Sequence, residues 1–139
     1  MTLKSALVTG AVWVLGAGCT VRASAAADER MKEADACGYV VDASGSVVSA
    51  ATVSATNGGR TIATATTFSD GSFHFEDSIN TGVDLAVEAK GFVPANGHIE
   101  RLRGVKSEKK CGHPVYVVLA GGKGLSYITT KKKNVPRTR

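Results

Sequence analysis

The chain has 139 residues, of which 17 are Lys or Arg and 12 are Asp or Glu, so its formal net charge is +5. That charge is unevenly placed: residues 28–98 carry 4 basic and 10 acidic side chains, whereas residues 99–139 carry 11 basic and 2 acidic ones. A nucleic-acid-binding domain carries its basic residues along the folded face. This distribution therefore argues against nucleic acid as a partner.

Residues 1–27 are predicted to be a signal peptide and not part of the fold. Lys4 gives a positive start, residues 6–18 are apolar or small throughout, and small residues continue to Ala27. This order is typical of a secretory signal. The apolar run of about 13 residues is shorter than the ~20 that a membrane-spanning helix needs. We therefore expect export across a bacterial-type inner membrane into the periplasm.

Two processing routes are compatible with this signal. Residues 15–19 (LGAGC) resemble a bacterial lipobox, in which Cys19 is lipidated and the chain is cut before it. Residues 23–25 (ASA) form an ordinary cleavage site, with the cut after Ala25. The first route predicts a lipoprotein anchored to the outer membrane, and the second predicts a soluble periplasmic protein. The sequence leaves both open.

Three cysteines are present, and an odd count in an exported chain needs an explanation. Cys19 is either lipidated or removed with the signal. Cys37 and Cys111 remain, and an oxidising compartment favours a disulfide between them. The alternative is a pair of free, buried thiols.

The segment that follows the signal, residues 28–36 (DERMKEADA), is charged and has no β-branched residue. It is predicted to be a tether or one loose helical turn. From Cys37 onward, short β-branched runs alternate with Gly, Asn, Asp and Ser, which is typical of many short strands. Seven strands are predicted, at residues 37–43, 50–56, 60–69, 72–76, 83–90, 98–103 and 114–120.

Apolar side chains alternate along the predicted strands. Val83, Leu85 and Val87 share one face of the fifth strand, and Phe73 and Phe75 share one face of the fourth. A sheet with one buried and one solvent-exposed face indicates antiparallel pairing. The predicted fold is thus all-β, a single seven-stranded antiparallel sandwich over residues 37–120. Its predicted core is Tyr39, Val41, Val53, Ile62, Phe68, Phe73, Phe75, Leu85, Val87, Phe92, Val115, Val117 and Leu119.

Residues 121–139 are predicted to be a flexible basic tail that begins with a glycine-rich linker. Its cations are Lys131, Lys132, Lys133, Arg137 and Arg139. We expect this tail either to remain solvated or to make weak contacts with anionic lipid, lipopolysaccharide or acidic glycan.

Four short motifs occur in a recognisable order: GYVVDASG (residues 38–45), AATV (50–53), TFSDGSF (67–73) and VEAKGF (87–92). Together they resemble the carboxypeptidase regulatory-like domain, a transthyretin-like seven-stranded sandwich. The resemblance implies an accessory, binding or spacer module more often than a catalyst. The Pro-x-x-Gly-Ala stretch usual before the second strand is replaced here by Val48-Ser49-Ala50-Ala51.

No residue cluster predicts catalysis, a cofactor or a metal site. His74, His98 and His113 do not stand at metal-ligand spacing. The sequence favours a non-catalytic binding or structural module of the cell envelope, with an envelope protein or a glycan as partner. The alternative is a small periplasmic enzyme or metal-binding protein. Tyr39, Tyr116, His74 and His113 are the residue types that hold iron in ring-cleaving dioxygenases, but the sequence indicates no such arrangement of them.

Overall fold

The computed structural model describes residues 31–75, 79–105 and 111–137, so the predicted signal peptide, Cys19 and Arg139 lie outside the described residues. The described chain is all-β and contains nine strands and one short 3-10 helix. The strands are β1 Met31–Asp35, β2 Cys37–Asp42, β3 Thr52–Asn57, β4 Arg60–Thr66, β5 Ser72–His74, β6 Asn80–Glu88, β7 Ala95–Arg103, β8 Val115–Leu119 and β9 Tyr127–Thr129. The 3-10 helix is Lys132–Asn134.

The strands form two sheets, one of five strands in the order β1-β7-β6-β3-β4 and one of four in the order β5-β2-β8-β9. All seven predicted strands have a counterpart, but the predicted count and the purely antiparallel pairing are wrong. Two further strands, β1 and β9, are present, and the β1–β7 and β2–β8 pairs are parallel. The largest fully buried side chains include Phe73, Phe75, Leu85, Ile99, Leu102 and Leu119.

Strand β1 replaces the predicted tether over most of residues 28–36. Met31 and Ala34 are buried in the core, and β1 pairs with β7. At Ala36 the chain passes from one sheet to the other: its N–H donates to the carbonyl of Arg103 at 2.7 Å, and its own carbonyl accepts from the N–H of Phe75 at 2.9 Å. The chain passes directly from β1 into β2, and each of the two strands pairs in parallel with a later one.

Strand β2 presents the opposite face from the one predicted. Val40 is fully buried, whereas Tyr39 is 43% exposed and Val41 is half-buried. Gly38 shares the inward parity with Val40, and a Cβ there would overlap the carbonyl of Val115 on β8. Phe68 was also predicted to be in the core, but it is 50% exposed in the turn after β4. Ile62 and Phe92 pack against the core while only partly buried.

The turn that leads into β3 departs from unstrained geometry. Ala50 has a φ of 60°, and it is the only non-glycine residue of the described chain with a positive φ. It occupies the place where the related motif carries Gly. The turn is fastened by Thr67, whose buried hydroxyl accepts from the N–H of Ala51 at 2.9 Å and donates to the carbonyl of Val48 at 2.8 Å.

The C-terminal segment is structured through residue 137, contrary to the predicted flexible tail. β9 pairs antiparallel with β8, and Ile128 joins the core. Ser126 fastens the turn before β9, because its hydroxyl accepts from the N–H of Ala120 and donates to the carbonyl of Val93. Within residues 31–75, 79–105 and 111–137, no helix is long and apolar enough to cross a membrane.

Candidate functional site

An open groove of about 780 Å³ lies on the outer face of the four-stranded sheet. Its floor includes Tyr39 and Val41 of β2 and Tyr116 of β8. The C-terminal segment contributes Lys132, Lys133, Val135, Pro136 and Arg137. The remaining lining residues are Val47, Asp70, Cys111, Gly112 and Pro114.

The two tyrosines lie side by side because β2 and β8 are parallel and pair Tyr39 with Tyr116. Their ring centroids are 6.0 Å apart and their planes differ by 19°. Neither hydroxyl bonds to another residue of the described chain. Burial raises the pKa of Tyr116, and the neighbouring Tyr39 raises it further. The Tyr116 hydroxyl is therefore protonated at neutral pH and can donate a hydrogen bond.

The groove has a positive rim. Lys132, Lys133 and Arg137 are exposed and form no ion pair with any residue in the described ranges. Asp70 is the one acidic residue among the described residues of the lining, and its carboxylate accepts from the Ser72 hydroxyl at 2.6 Å and from the Ser72 N–H at 3.0 Å. These bonds lower the pKa of Asp70. Lys131 does not line the groove.

The predicted disulfide between Cys37 and Cys111 is confirmed, with Cα atoms 6.0 Å apart. Cys111 and Gly112 line the groove. Asp35 holds the loop that follows the disulfide, because its Oδ2 accepts from the N–H groups of Gly112 at 2.8 Å and His113 at 2.9 Å. Arg103 lies 3.3 Å from the other carboxylate oxygen of Asp35.

The histidines do not converge. His74 on β5 packs near Phe68, and its Nδ1 has no hydrogen-bond partner among the described residues, whereas His98 lies 2.8 Å from a carboxylate oxygen of Asp84. Neither His74 nor His113 lines the groove beside the tyrosines. In the part of the chain that the structure describes, no group of three or more His, Cys, Asp or Glu residues is placed to hold a metal ion.

The tyrosine pair was missed as a site because Tyr39 was assigned to the core. Gly38 was the residue in the sequence that could have indicated an outward Tyr39. An isolated glycine in a strand marks the side on which another backbone approaches closely. With Gly38 and Val40 inward, the side-chain alternation of a strand turns Tyr39 outward.

A model of the carboxypeptidase regulatory-like domain matches residues 37–108, which is more than half of the chain. Searches among curated proteins and among solved structures found no significant match. The matched region includes Tyr39 and Asp70 but ends before β8, so Tyr116 and the basic rim lie outside it. The chain belongs to the carboxypeptidase regulatory-like domain family.

Proposed function

We propose that this protein is a non-catalytic binding module of a bacterial-type cell envelope and that the groove is its binding site. The observation that carries the proposal is the combination of two outward tyrosines with three cations that form no ion pair within the described part of the chain. Membership of a non-catalytic domain family is consistent with it. Aromatic residues and Arg are enriched at recognition surfaces.

The proposed location is outside the cytoplasm. The predicted signal of residues 1–27 supports export, and the Cys37–Cys111 disulfide suits an oxidising compartment. Two forms of the mature protein follow from the two processing sites. Lipidation at Cys19 tethers the module to the outer membrane, whereas cleavage after Ala25 leaves it soluble in the periplasm.

The proposed partner is an anionic component of the envelope. Lys132, Lys133 and Arg137 give the groove a local excess of positive charge, since Asp70 is the single acidic side chain among its described lining residues. A basic segment gains ~1 kcal/mol per charge near an anionic membrane surface, and salt screens the attraction over about 10 Å at 0.1 M. The binding should therefore be sensitive to salt.

Co-sedimentation with isolated outer-membrane fragments tests this function. The exported chain with Cys19→Ser, which cannot be anchored by lipid, should pellet with the fragments at low salt and be released at about 0.5 M salt, where the screening length is short. In the same chain, the triple variant Lys132→Gln, Lys133→Gln and Arg137→Gln should remain in the supernatant.

A matched control removes the same charge elsewhere. Lys32, Arg60 and Lys90 are exposed and lie outside the groove lining, so their substitution by Gln should leave sedimentation unchanged. If both triple variants lose sedimentation equally, the binding depends on the net charge of the protein and not on the groove. Failure of the Cys19→Ser chain to pellet would contradict the proposed function itself.

A further inference from the structure

We propose that the groove binds an acidic polysaccharide, with a sugar ring packed on the Tyr39–Tyr116 pair and carboxylates on the basic rim. This inference rests on the binding function proposed above and names the class of ligand. It follows from the shape of the floor, the charge of the rim and the position of the groove on the sheet.

The floor is suited to a pyranose ring. Such a ring has apolar faces made of C–H groups, and its hydroxyls point outward from the edge. The two tyrosine rings are stacked nearly parallel to each other, and Tyr39 is 43% exposed, so a sugar ring can pack against its exposed part and extend the stack. Both hydroxyls lack a protein partner within the described chain and can therefore bond to those of the sugar.

The cations of the rim favour a negatively charged ligand. Lys132, Lys133 and Arg137 stand on the segment that borders the tyrosines, and no described carboxylate neutralises them. A guanidinium binds a carboxylate with two parallel hydrogen bonds, and an ammonium adds a point charge. A neutral glycan could pack on the exposed tyrosine ring but would leave these cations without a counter-charge. A uronic acid supplies both the ring face and the carboxylate.

The position of the groove disfavours an extended peptide. β2 is paired on both sides, by β5 and β8, and β8 is paired on both sides, by β2 and β9. The backbone groups beneath the groove are thus already used within the sheet. A peptide that binds as an added strand needs an unpaired edge. A polysaccharide has no backbone amides to satisfy and can lie across the face.

The groove is held in shape before a ligand arrives. The Cys37–Cys111 disulfide and the bonds from Asp35 fix its lining at Cys111 and Gly112. Tyr127 and Thr129 of β9 fasten the segment that carries the cations. Preorganisation lowers the entropic cost of binding. We therefore expect measurable affinity for a short oligosaccharide.

Affinity electrophoresis and calorimetry with polygalacturonate test the proposal. The exported chain should be retarded by polygalacturonate and bind uncharged dextran at least tenfold more weakly. Tyr39→Ala should weaken binding to polygalacturonate at least tenfold, and Tyr39→Phe should retain most of it because the aromatic ring remains. Phe68→Ala is the matched control, since Phe68 is an equally exposed aromatic that does not line the groove. It should bind as the wild type does.

Arg137→Gln gives a second variant that does not depend on the sheet, because Arg137 is exposed on the C-terminal segment. It should weaken binding to polygalacturonate and leave the weak binding to dextran unchanged. Equal affinity of the wild type for dextran and polygalacturonate would overturn the proposal, as would unchanged binding by Tyr39→Ala.

Two further probes separate this inference from the function on which it rests. If oligodeoxythymidine or polyglutamate binds more tightly than polygalacturonate, and this binding depends on Tyr39, the groove is a site for nucleic acid or peptide. That result would overturn the proposal of an acidic polysaccharide. Sedimentation with envelope fragments that requires the groove cations, without any binding of polygalacturonate, would overturn the ligand class and leave the envelope function standing. If the protein neither sediments with envelope fragments nor binds polygalacturonate, both the envelope function and the polysaccharide ligand are overturned.

Discussion

The hydroxyl of Tyr127 donates to the carbonyl oxygen of Asn134 at 2.6 Å. This bond joins β9 to the short helix that carries Lys132 and Lys133 beside the groove. Asn134 also donates from its side-chain amide to the hydroxyl of Thr129 at 3.4 Å. The helix itself has no buried residue. Its position therefore depends on these polar contacts more than on core packing.

Tyr127→Phe should loosen the C-terminal segment without unfolding the sandwich. Losing one hydrogen bond costs about 1 kcal/mol, which is about a fivefold change in a local opening equilibrium. We expect trypsin to cleave after Lys132 and Lys133 about fivefold faster, measured by mass spectrometry of timed digests. Tyr39→Phe removes a hydroxyl that bonds to no residue in the described ranges, and this variant should digest at the wild-type rate. Equal digestion of all three proteins would contradict the anchoring role.

Ala50→Gly should stabilise the protein. Ala50 is exposed and has a φ of 60°, a region that costs a residue with a Cβ roughly 1–2 kcal/mol. Glycine removes that strain but gives the unfolded chain more freedom, so the net gain should be about 0.5–1 kcal/mol. Urea denaturation measures it. Ala43→Gly, at an exposed position without a positive φ, should give no gain.

Alternation along single strands could be predicted from the sequence, because it depends only on neighbouring residues. Val83, Leu85 and Val87 face the core as predicted. The face of β2 was predicted wrongly, since both parities offer an apolar side chain, Val40 on one and Val41 on the other. The deciding contact, between Gly38 and the carbonyl of Val115, joins residues far apart in the sequence.

The extra strands show a second limit of the sequence pattern. β1 has only Met31 and Ala34 as apolar residues before its end, so its pairing with β7 is a tertiary effect. β9 is three residues long and follows a glycine-rich turn that resembles a linker. The groove could not be predicted, because its floor and rim depend on the face of β2 and on β9. The disulfide could be predicted, since that prediction required only an oxidising compartment and the number of cysteines.

Thr67→Val should destabilise the turn that leads into β3. Its hydroxyl is the partner of both the N–H of Ala51 and the carbonyl of Val48. Removing it leaves buried backbone groups without those bonds, which costs roughly 1–3 kcal/mol for such a group. Urea denaturation should show this loss. Thr66→Val changes the same atoms at an exposed position and should be nearly neutral. A similar loss in both variants would contradict the special role of Thr67.

Removing the disulfide should lower stability substantially. The bridge spans a sequence separation of 74 residues, for which the chain-entropy model gives about 4 kcal/mol. The double variant Cys37→Ala and Cys111→Ala should lose about this amount in the free energy of unfolding, measured by urea denaturation. Reductant should destabilise the wild type and leave the double variant unchanged. Insensitivity of the wild type to reductant would contradict the prediction.

Tyr116 and Tyr127 should ionise late. Burial raises the pKa of Tyr116 and that of Tyr127, and Tyr39 raises that of Tyr116 further. The unfolded chain ionises its tyrosines near pH 10, below the folded values. Between the two values the unfolded state binds fewer protons, so stability falls as pH rises through this window, and these groups contribute no pH dependence well below it.

Spectrophotometric titration of the phenolate band checks this order of ionisation. We expect the folded wild type to complete its titration above the pH at which the urea-unfolded chain does. Tyr116→Phe should remove one late-titrating group and reduce the loss of stability between about pH 9.5 and 11, relative to the wild type. Tyr39→Phe removes only the smaller of the two causes, so Tyr116 should still titrate above its ordinary range. Superimposed titrations of the folded and unfolded wild type would contradict the buried environment assigned to Tyr116.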